Sequence, residues 1–197
     1  MMRRLLARSI YYPTLGYNLM LGRVFKTRNW WDPVDEHLIL GARPFARDVP
    51  TLKTLGVTGV VNMCEEHAGY LDLYQLHAIE QLWLPTIDFT HPTKEMIESG
   101  AEFIQSHALQ KGKVYVHCKA GRARSATVVL WWLVKYRGHT PQRAQEIILA
   151  SRPHANPHVH LRPVIRELHL GLQTDVDAER QTGTESQVKL KDSETDL

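Results

Sequence analysis

The sequence is poor in cysteine, with only Cys64 and Cys118 among its 197 residues. Two cysteines cannot build the disulfide framework that holds small secreted domains together, and no group of Cys and His residues has zinc-finger spacing. His154, His158 and His160 lack a Cys or carboxylate companion and are interpreted as a polar loop. We therefore expect a reducing compartment, free thiols, no metal and no cofactor.

The sequence also lacks a secretory signal and a hydrophobic run long enough to cross a bilayer. The uncharged stretch at 9–22 is interrupted by Pro13 and Asn18, and it falls short of the roughly 20 apolar residues that a spanning helix needs. With 43% hydrophobic and 23% charged residues, the composition is that of a globular protein. The length favours one domain with short extensions.

Negative charge is missing from the N-terminus, where residues 1–31 contain six Arg or Lys and no carboxylate. This composition is typical of a mitochondrial targeting segment, and such a segment can also lie on a membrane surface. The opposite end, 174–197, is acidic and polar and is predicted to be disordered. We therefore divide the chain into a basic targeting or membrane-associating segment at 1–27, a domain at 28–173 and a disordered acidic tail. The domain is nearly neutral, and no nucleic-acid partner is expected.

Short apolar runs alternate with helical patterns along the domain. The runs predicted to be strands are His37–Leu40, Val57–Met63, Gln81–Pro85 and Lys113–His117. Helices are predicted over Thr93–Gln110, from Thr140 as N-cap with Pro141 in the first turn, and over Pro163–Leu172. The alternation predicts an α/β fold with a central, mostly parallel sheet flanked by helices.

The clearest strand leads directly into Cys118, a loop of small and basic residues, and an apolar run at 126–134 that is interpreted as a buried central helix. The N–H groups of such a loop and the positive end of the following helix point towards one place, which makes an anion site. The same field lowers the pKa of a thiol and stabilises its nucleophilic thiolate. Arg124 follows Cys118 by six residues and is placed to offer its planar guanidinium to two oxygens of a bound phosphate.

The residues His117, Cys118, Arg124 and Ser125 form a His-Cys-x5-Arg-Ser pattern that resembles the signature of the protein-tyrosine and dual-specificity phosphatase superfamily. A rhodanese-type sulfurtransferase also places a cysteine in an anion-binding loop, but it does not account for the whole pattern. The resemblance implies the dual-specificity type of cysteine-phosphatase fold and a phosphocysteine intermediate formed without metal. It also implies a phosphate-binding loop made of Lys119, Ala120, Gly121, Arg122, Ala123 and Arg124.

The resemblance further implies a general acid on a loop upstream of the cysteine, and Asp88 fits that position. Glu95 and Glu98, on the predicted helix that follows, are its rivals. Ser125 is expected to assist departure of the thiolate, to cap the central helix, or to do both. His117 is expected to fix the loop and keep the thiol pKa low instead of acting as a base.

The loop offers Lys119 and Arg122 beside Arg124, which is more positive charge than one phosphotyrosine needs and favours a polyanionic or lipid-phosphate head group. Together with segments at 28–31, 40–44, 62–66, 141–152 and 162–163, it resembles the mitochondrial protein-tyrosine-phosphatase-like enzymes that dephosphorylate phosphatidylglycerophosphate. This resemblance implies a phospholipid phosphate substrate, cardiolipin biosynthesis, and a peripheral position on the matrix side of the mitochondrial inner membrane. No obligate protein partner is inferred.

Several alternatives stay open at this point. The enzyme could instead act on phosphotyrosine, phosphoserine or phosphothreonine in proteins, or on phosphoinositides, and a catalytically dead phosphate-binding module is a third class. Family members often have a Glu-Glu-Tyr-Glu-like stretch after the second predicted strand, whereas this chain has Glu65-Glu66-His67-Ala68, which leaves the role of that loop open. Cys64 is either an inert buried thiol or a redox partner of Cys118.

Overall fold

The structure is a computed structural model that describes the backbone of residues 2–25 and 27–174, and side chains from residue 9 onwards. The predicted disordered tail lies outside these residues, apart from residue 174. A five-stranded sheet has the order β1-β2-β5-β3-β4. Strands β2, β5, β3 and β4 run parallel to one another, and the edge strand β1 is antiparallel to β2. The strands are β1 Trp31–Asp35, β2 Leu38–Gly41, β3 Val57–Cys64, β4 Glu80–Thr86 and β5 Lys113–His117.

Seven α-helices accompany the sheet in the described part of the chain. They are α1 Met2–Leu19, α2 Val49–Thr54, α3 Leu71–Leu76, α4 Lys94–Leu109, α5 Arg124–Arg137, α6 Pro141–Ser151 and α7 at 163–174. A π-helical turn, Met20–Val24, extends α1, and 3-10 turns occupy Ala46–Asp48 and Val159–Leu161. The α/β architecture and the mostly parallel sheet are confirmed.

The predicted strands and helices lie within one or two residues of the observed ones. The predicted cap of α6 is present, because the hydroxyl of Thr140 accepts a hydrogen bond from the backbone N–H of Arg143 at 3.2 Å. Four strands and α-helices escaped prediction. One is α1, whose segment was interpreted from its composition, and the other three, β1, α2 and α3, have only five or six residues each. Periodicity carries little information over so short a span.

The core lies on both faces of the sheet. On β5, Val114 and Val116 face one side, where they pack with α4, α5 and α6, while Tyr115 faces the other side with α2 and α3. Residues 126–134 of α5 are all buried, which confirms the predicted central helix. The carboxyl ends of β3, β4 and β5 meet at one edge, and open α/β sheets bind ligands at such an edge.

The N-terminal segment forms a helix that continues through Pro13. Tyr11 and Leu15 on this helix are buried in a small cluster with Trp30 and Ala42, a packing that its basic composition did not predict. Within the described ranges, no helix combines the length and apolar character that a membrane span requires.

Candidate active site

Cys118 lies directly after β5 and begins a loop that ends where α5 starts at Arg124. The expectation that Ser125 caps α5 is wrong, because the N-cap residue is Ala123 and Ser125 lies in the first turn. From there its hydroxyl donates a hydrogen bond to the sulfur of Cys118 at 3.3 Å. The side chain of Ser125 is therefore turned towards the cysteine.

The thiol of Cys118 is buried, which by itself opposes ionisation. The positive charge of Arg124 and hydrogen bonds from Ser125 and the backbone of Arg122 outweigh that effect and lower the pKa of Cys118 to about 6. A thiol with this pKa is mostly thiolate at pH 7, and the thiolate is the form that attacks phosphorus.

His117 is buried at the end of β5, and its ring Nδ1 lies 3.4 Å from the carbonyl oxygen of Cys118. Burial lowers the pKa of this histidine to about 3. The ring is therefore neutral at physiological pH and adds no positive charge beside the thiol. The groups that lower the pKa of Cys118 include Arg124, Ser125 and Arg122, and the expectation that His117 also keeps this pKa low stays a prediction.

Arg124 is held by the end of β4 and by the loop that follows β3. Its Nη1 donates to the carbonyl oxygen of Thr86 at 2.7 Å and lies 3.3 Å from a carboxylate oxygen of Glu66. Both Arg124 and Glu66 have side chains that are almost fully buried. The loop after β3, whose sequence Glu65-Glu66-His67-Ala68 departs from the family pattern, therefore contributes to the site, because Glu66 holds the guanidinium of Arg124.

Asp88 lies in the loop between β4 and α4, as its position in the sequence predicts. Its carboxylate forms an ion pair with Arg124, with 3.0 Å between Oδ1 and Nη2, and a second ion pair with the ammonium group of Lys119. The rival carboxyls lie elsewhere: Glu95 is exposed on α4, and Glu98 pairs with Lys135 of α5. Among the three, the structure brings Asp88 to the cysteine loop.

The outer side of the loop is fixed by two features. Gly121 has φ +64°, and a Cβ at this position would collide with the carbonyl group of Gly41. The buried guanidinium of Arg152 donates to the carbonyl oxygens of Gly121 at 2.8 Å and Ala120 at 3.0 Å. Because these carbonyls point outwards to Arg152, the loop is held in the conformation that turns N–H groups inwards.

The site opens into a pocket of about 570 Å³. Asp88 and the loop residues 118–120 and 122–124 line it together. Gly121, the remaining residue of the loop, packs against Gly41 and does not line the pocket. Sequence reasoning did not place the further lining residues in the pocket. Phe89 adjoins Asp88, and the others come from segments far from the cysteine loop in sequence: Thr14, Tyr17, Asn18, Asn156 and Arg162.

Cys64 is a free, buried thiol at the end of β3, and burial raises its pKa, so that it stays protonated at neutral pH. Cys118 is free as well. The described residues include no group of three or more His, Cys, Asp and Glu side chains arranged to hold a metal ion.

A cysteine beside an arginine-lined anion site, at the strand-to-helix turn of a mostly parallel sheet, defines the class of cysteine-dependent phosphatases. Residues 38–169 match the family model of the dual specificity phosphatase catalytic domain. The chain belongs to this family and is a cysteine-dependent phosphatase.

Individual similar proteins narrow the comparison beyond the family. Phosphatidylglycerophosphate phosphatase PTPMT2 of Arabidopsis thaliana is 40% identical over 163 residues, which cover 81% of this chain and 72% of the relative. The human phosphatidylglycerophosphatase and protein-tyrosine phosphatase 1 is 34% identical over 177 residues, covering 83% and 86%. The crystal structure of PTPMT1 in complex with PI(5)P superposes with a TM-score of 0.69 at 30% identity, covering 75% of this chain and 99% of that one.

Proposed function

We propose that this protein hydrolyses phosphatidylglycerophosphate to phosphatidylglycerol, a step of cardiolipin biosynthesis. The observation that carries the proposal is the similarity to phosphatidylglycerophosphate phosphatases along four fifths of the chain. The pocket supports it, because Lys119, Arg122, Arg124 and Arg162 line it together with a single carboxylate, that of Asp88. Such an excess of positive charge favours an anionic head group.

In the first half of the proposed reaction, the thiolate of Cys118 attacks phosphorus, and the bond to the glycerol oxygen breaks. Arg124 and the loop N–H groups bind the phosphoryl oxygens as negative charge spreads over them. Asp88 donates its proton to the leaving alkoxide. A phosphate group bound to Arg124 replaces the carboxylate of Asp88 as the partner of the guanidinium.

In the second half, Asp88 accepts a proton from water, the water oxygen attacks phosphorus, and the bond between phosphorus and sulfur breaks. Inorganic phosphate leaves, and Cys118 returns as thiolate. The hydroxyl of Ser125 donates to this sulfur at 3.3 Å, so it is placed to stabilise the charge that the leaving thiolate acquires.

We further propose that the protein binds the matrix side of the mitochondrial inner membrane peripherally. Support comes from residues 1–31, which carry six basic side chains and no acidic one. An acid-free, Arg-rich segment is suited both to mitochondrial import and to anionic lipid surfaces. A fluorescent fusion of the full chain, compared with one in which Arg3, Arg4 and Arg8 are changed to Glu, tests this location.

A panel assay tests the activity. Phosphate release is measured from phosphatidylglycerophosphate, PI(5)P, a phosphotyrosine peptide and a phosphothreonine peptide, without added metal. We expect the highest kcat/KM on phosphatidylglycerophosphate and its loss in Cys118→Ser. A higher kcat/KM on either peptide would replace the proposal with a protein phosphatase, and a higher value on PI(5)P would replace it with a phosphoinositide phosphatase.

The variant Asp88→Asn separates the role of the acid from that of the nucleophile. It should lose far more rate on the lipid, which has an alkoxide leaving group, than on an aryl phosphate, whose leaving group needs little protonation. Glu98→Gln is the matched control, because Glu98 pairs with Lys135 away from the cysteine loop. An equal loss of rate on both substrates in Asp88→Asn would contradict the role of Asp88 as acid.

A further inference from the structure

Helix α1 is fastened to the domain by buried side chains. Tyr11 and Leu15 pack with Trp30 and Ala42, and the hydroxyl of Tyr11 accepts a hydrogen bond from Arg43 at 3.3 Å. Burial of two large side chains removes apolar surface from water and so favours the docked position of the helix. Residues 9–19 are thus part of the folded domain.

The same helix contacts the cysteine loop. The ammonium group of Lys119 donates to the hydroxyl of Thr14 at 2.7 Å and lies 5.4 Å from the centre of the Tyr11 ring and 5.1 Å from that of Phe89. Lys119 is 5% exposed, and a lysine is rarely so buried without partners. Thr14 and Tyr11 therefore help to fix a cation of the phosphate-binding loop, although more than 100 residues separate them from it in sequence.

Beyond Thr14, the helix continues along the pocket. Tyr17 and Asn18 line it, and so does Phe89 from the loop that carries Asp88. Tyr17 is 59% exposed and Phe89 is 72% exposed. Phe89 has φ +62°, a left-handed conformation that is costly for an aromatic residue and that often marks a functional site. Two aromatic rings thus stand at the mouth of a cationic pocket.

We propose that α1 is a wall of the substrate site, on which Tyr17 and Asn18 contact the part of the phospholipid beyond the scissile phosphate. This inference rests on the proposed function, since a lipid has apolar and glycerol groups next to its phosphate and a free phosphate has none. It requires that residues 9–19 remain on the working enzyme, so we expect no cleavage of an import signal within or after this segment.

The test compares two tyrosines of the same helix. Tyr17 lines the pocket, whereas Tyr12 is 72% exposed and does not line it. Tyr17→Ser and Tyr12→Ser are assayed on long-chain phosphatidylglycerophosphate in vesicles, on a short-chain form below its micelle concentration, and on para-nitrophenyl phosphate. Thermal unfolding verifies that both variants fold.

We expect Tyr17→Ser to lose about tenfold in kcat/KM on both lipid forms, mainly through KM, and to lose clearly less on para-nitrophenyl phosphate, because only the lipids reach the wall. Tyr12→Ser should retain the wild-type values. Equal effects of the two variants would overturn the inference, and a loss confined to vesicles would make Tyr17 a membrane-docking residue instead of a substrate contact.

Failure of the proposed function is distinguishable from failure of the inference about α1. The proposed function fails if the wild-type protein does not hydrolyse the lipid, whereas the inference fails through the comparison of the two tyrosine variants. A second measurement is independent of activity. The intact mass of the protein recovered from mitochondria should include residues 9–19, and processing that removes any of them would overturn the inference.

Discussion

The hydroxyl of Ser125 donates a hydrogen bond to the sulfur of Cys118 across 3.3 Å, with both side chains buried. Seven residues separate them in sequence, and the turn from β5 into α5 brings them together. The hydrogen bond stabilises the thiolate relative to the thiol, so it contributes to the low pKa of Cys118. The same contact is available whenever the sulfur acts as a leaving group.

Replacement of Ser125 by alanine should raise the pKa of Cys118 above its value of about 6. A hydrogen bond to a charged group contributes roughly 1.5–3 kcal/mol, which corresponds to about one to two pH units. The rate of alkylation of Cys118 by iodoacetamide, followed against pH, measures this shift. Ser125→Thr keeps the hydroxyl and is the matched control; an unchanged midpoint in Ser125→Ala would contradict the role of the hydrogen bond.

Arg124→Lys should raise the pKa of Cys118 as well, because the guanidinium is the first of the groups that favour the thiolate over the thiol. The lysine ammonium keeps the charge but not the planar fork that the carbonyl of Thr86 and Glu66 hold in place. The thiolate fraction rises with pH, so the acidic limb of the kcat/KM profile should move to higher pH and the plateau should fall. Arg137→Lys, on an exposed turn of α5, serves as the control. A lowered plateau with an unmoved acidic limb would show that Arg124 binds phosphate without tuning the thiol.

The chemical centre was predictable because it is local in sequence. Cys118, Arg124 and Ser125 lie within one strand-loop-helix unit, and the apolar pattern of β5 and α5 marks both of its ends. The position of Asp88 was predicted from the family resemblance, which implies an acid on a loop upstream of the cysteine, and Asp88 lies on such a loop between a strand and a capped helix. For Ser125, the sequence was consistent with two orientations, and only the position of the N-cap at Ala123 decides between them.

The supporting contacts were not predictable, because they join segments far apart in the chain. Glu66 reaches Arg124 across 58 residues, and Thr14 reaches Lys119 across 105. A single glutamate or threonine has no pattern that reports such a partner. The N-terminus shows the same limit: its charge predicts targeting, whereas its packing depends on the spacing of Tyr11 and Leu15 against a surface that forms only on folding.

Gly121→Ala should inactivate the enzyme and destabilise it strongly. Gly121 has φ +64° and packs against the carbonyl group of Gly41, so alanine adds both backbone strain and a collision. Gly138 has φ +69° with open space around it, and Gly138→Ala therefore adds the strain alone, of about 1 kcal/mol. Thermal unfolding and kcat/KM are measured for both variants. The difference between their losses gives the effect of the close contact between the loop and Gly41 of β2. Equal losses of stability would mean that the contact with Gly41 is unimportant.

Arg152 connects the phosphate-binding loop to the rest of the domain. Its guanidinium donates to Gly121 and Ala120 and forms a buried ion pair with Asp32, with 2.6 Å between Nη1 and Oδ2. Arg152→Met leaves the carboxylate of Asp32 buried without its partner, and breaking such a pair costs about 3–5 kcal/mol. We expect a large loss of stability in thermal unfolding.

Arg152→Lys distinguishes loop positioning from stability alone. Lysine retains a charge for Asp32, but a single ammonium group cannot replace the fork that also bonds both loop carbonyls. The lysine variant should therefore recover part of the stability that the methionine variant loses. We expect kcat to stay low and the pH midpoint for alkylation of Cys118 to rise, because the loop N–H groups no longer point correctly towards the sulfur. Arg143→Met removes an exposed ion pair on the same helix and should change neither property. Wild-type kcat and an unshifted midpoint in Arg152→Lys would show that the loop holds its shape without the arginine fork.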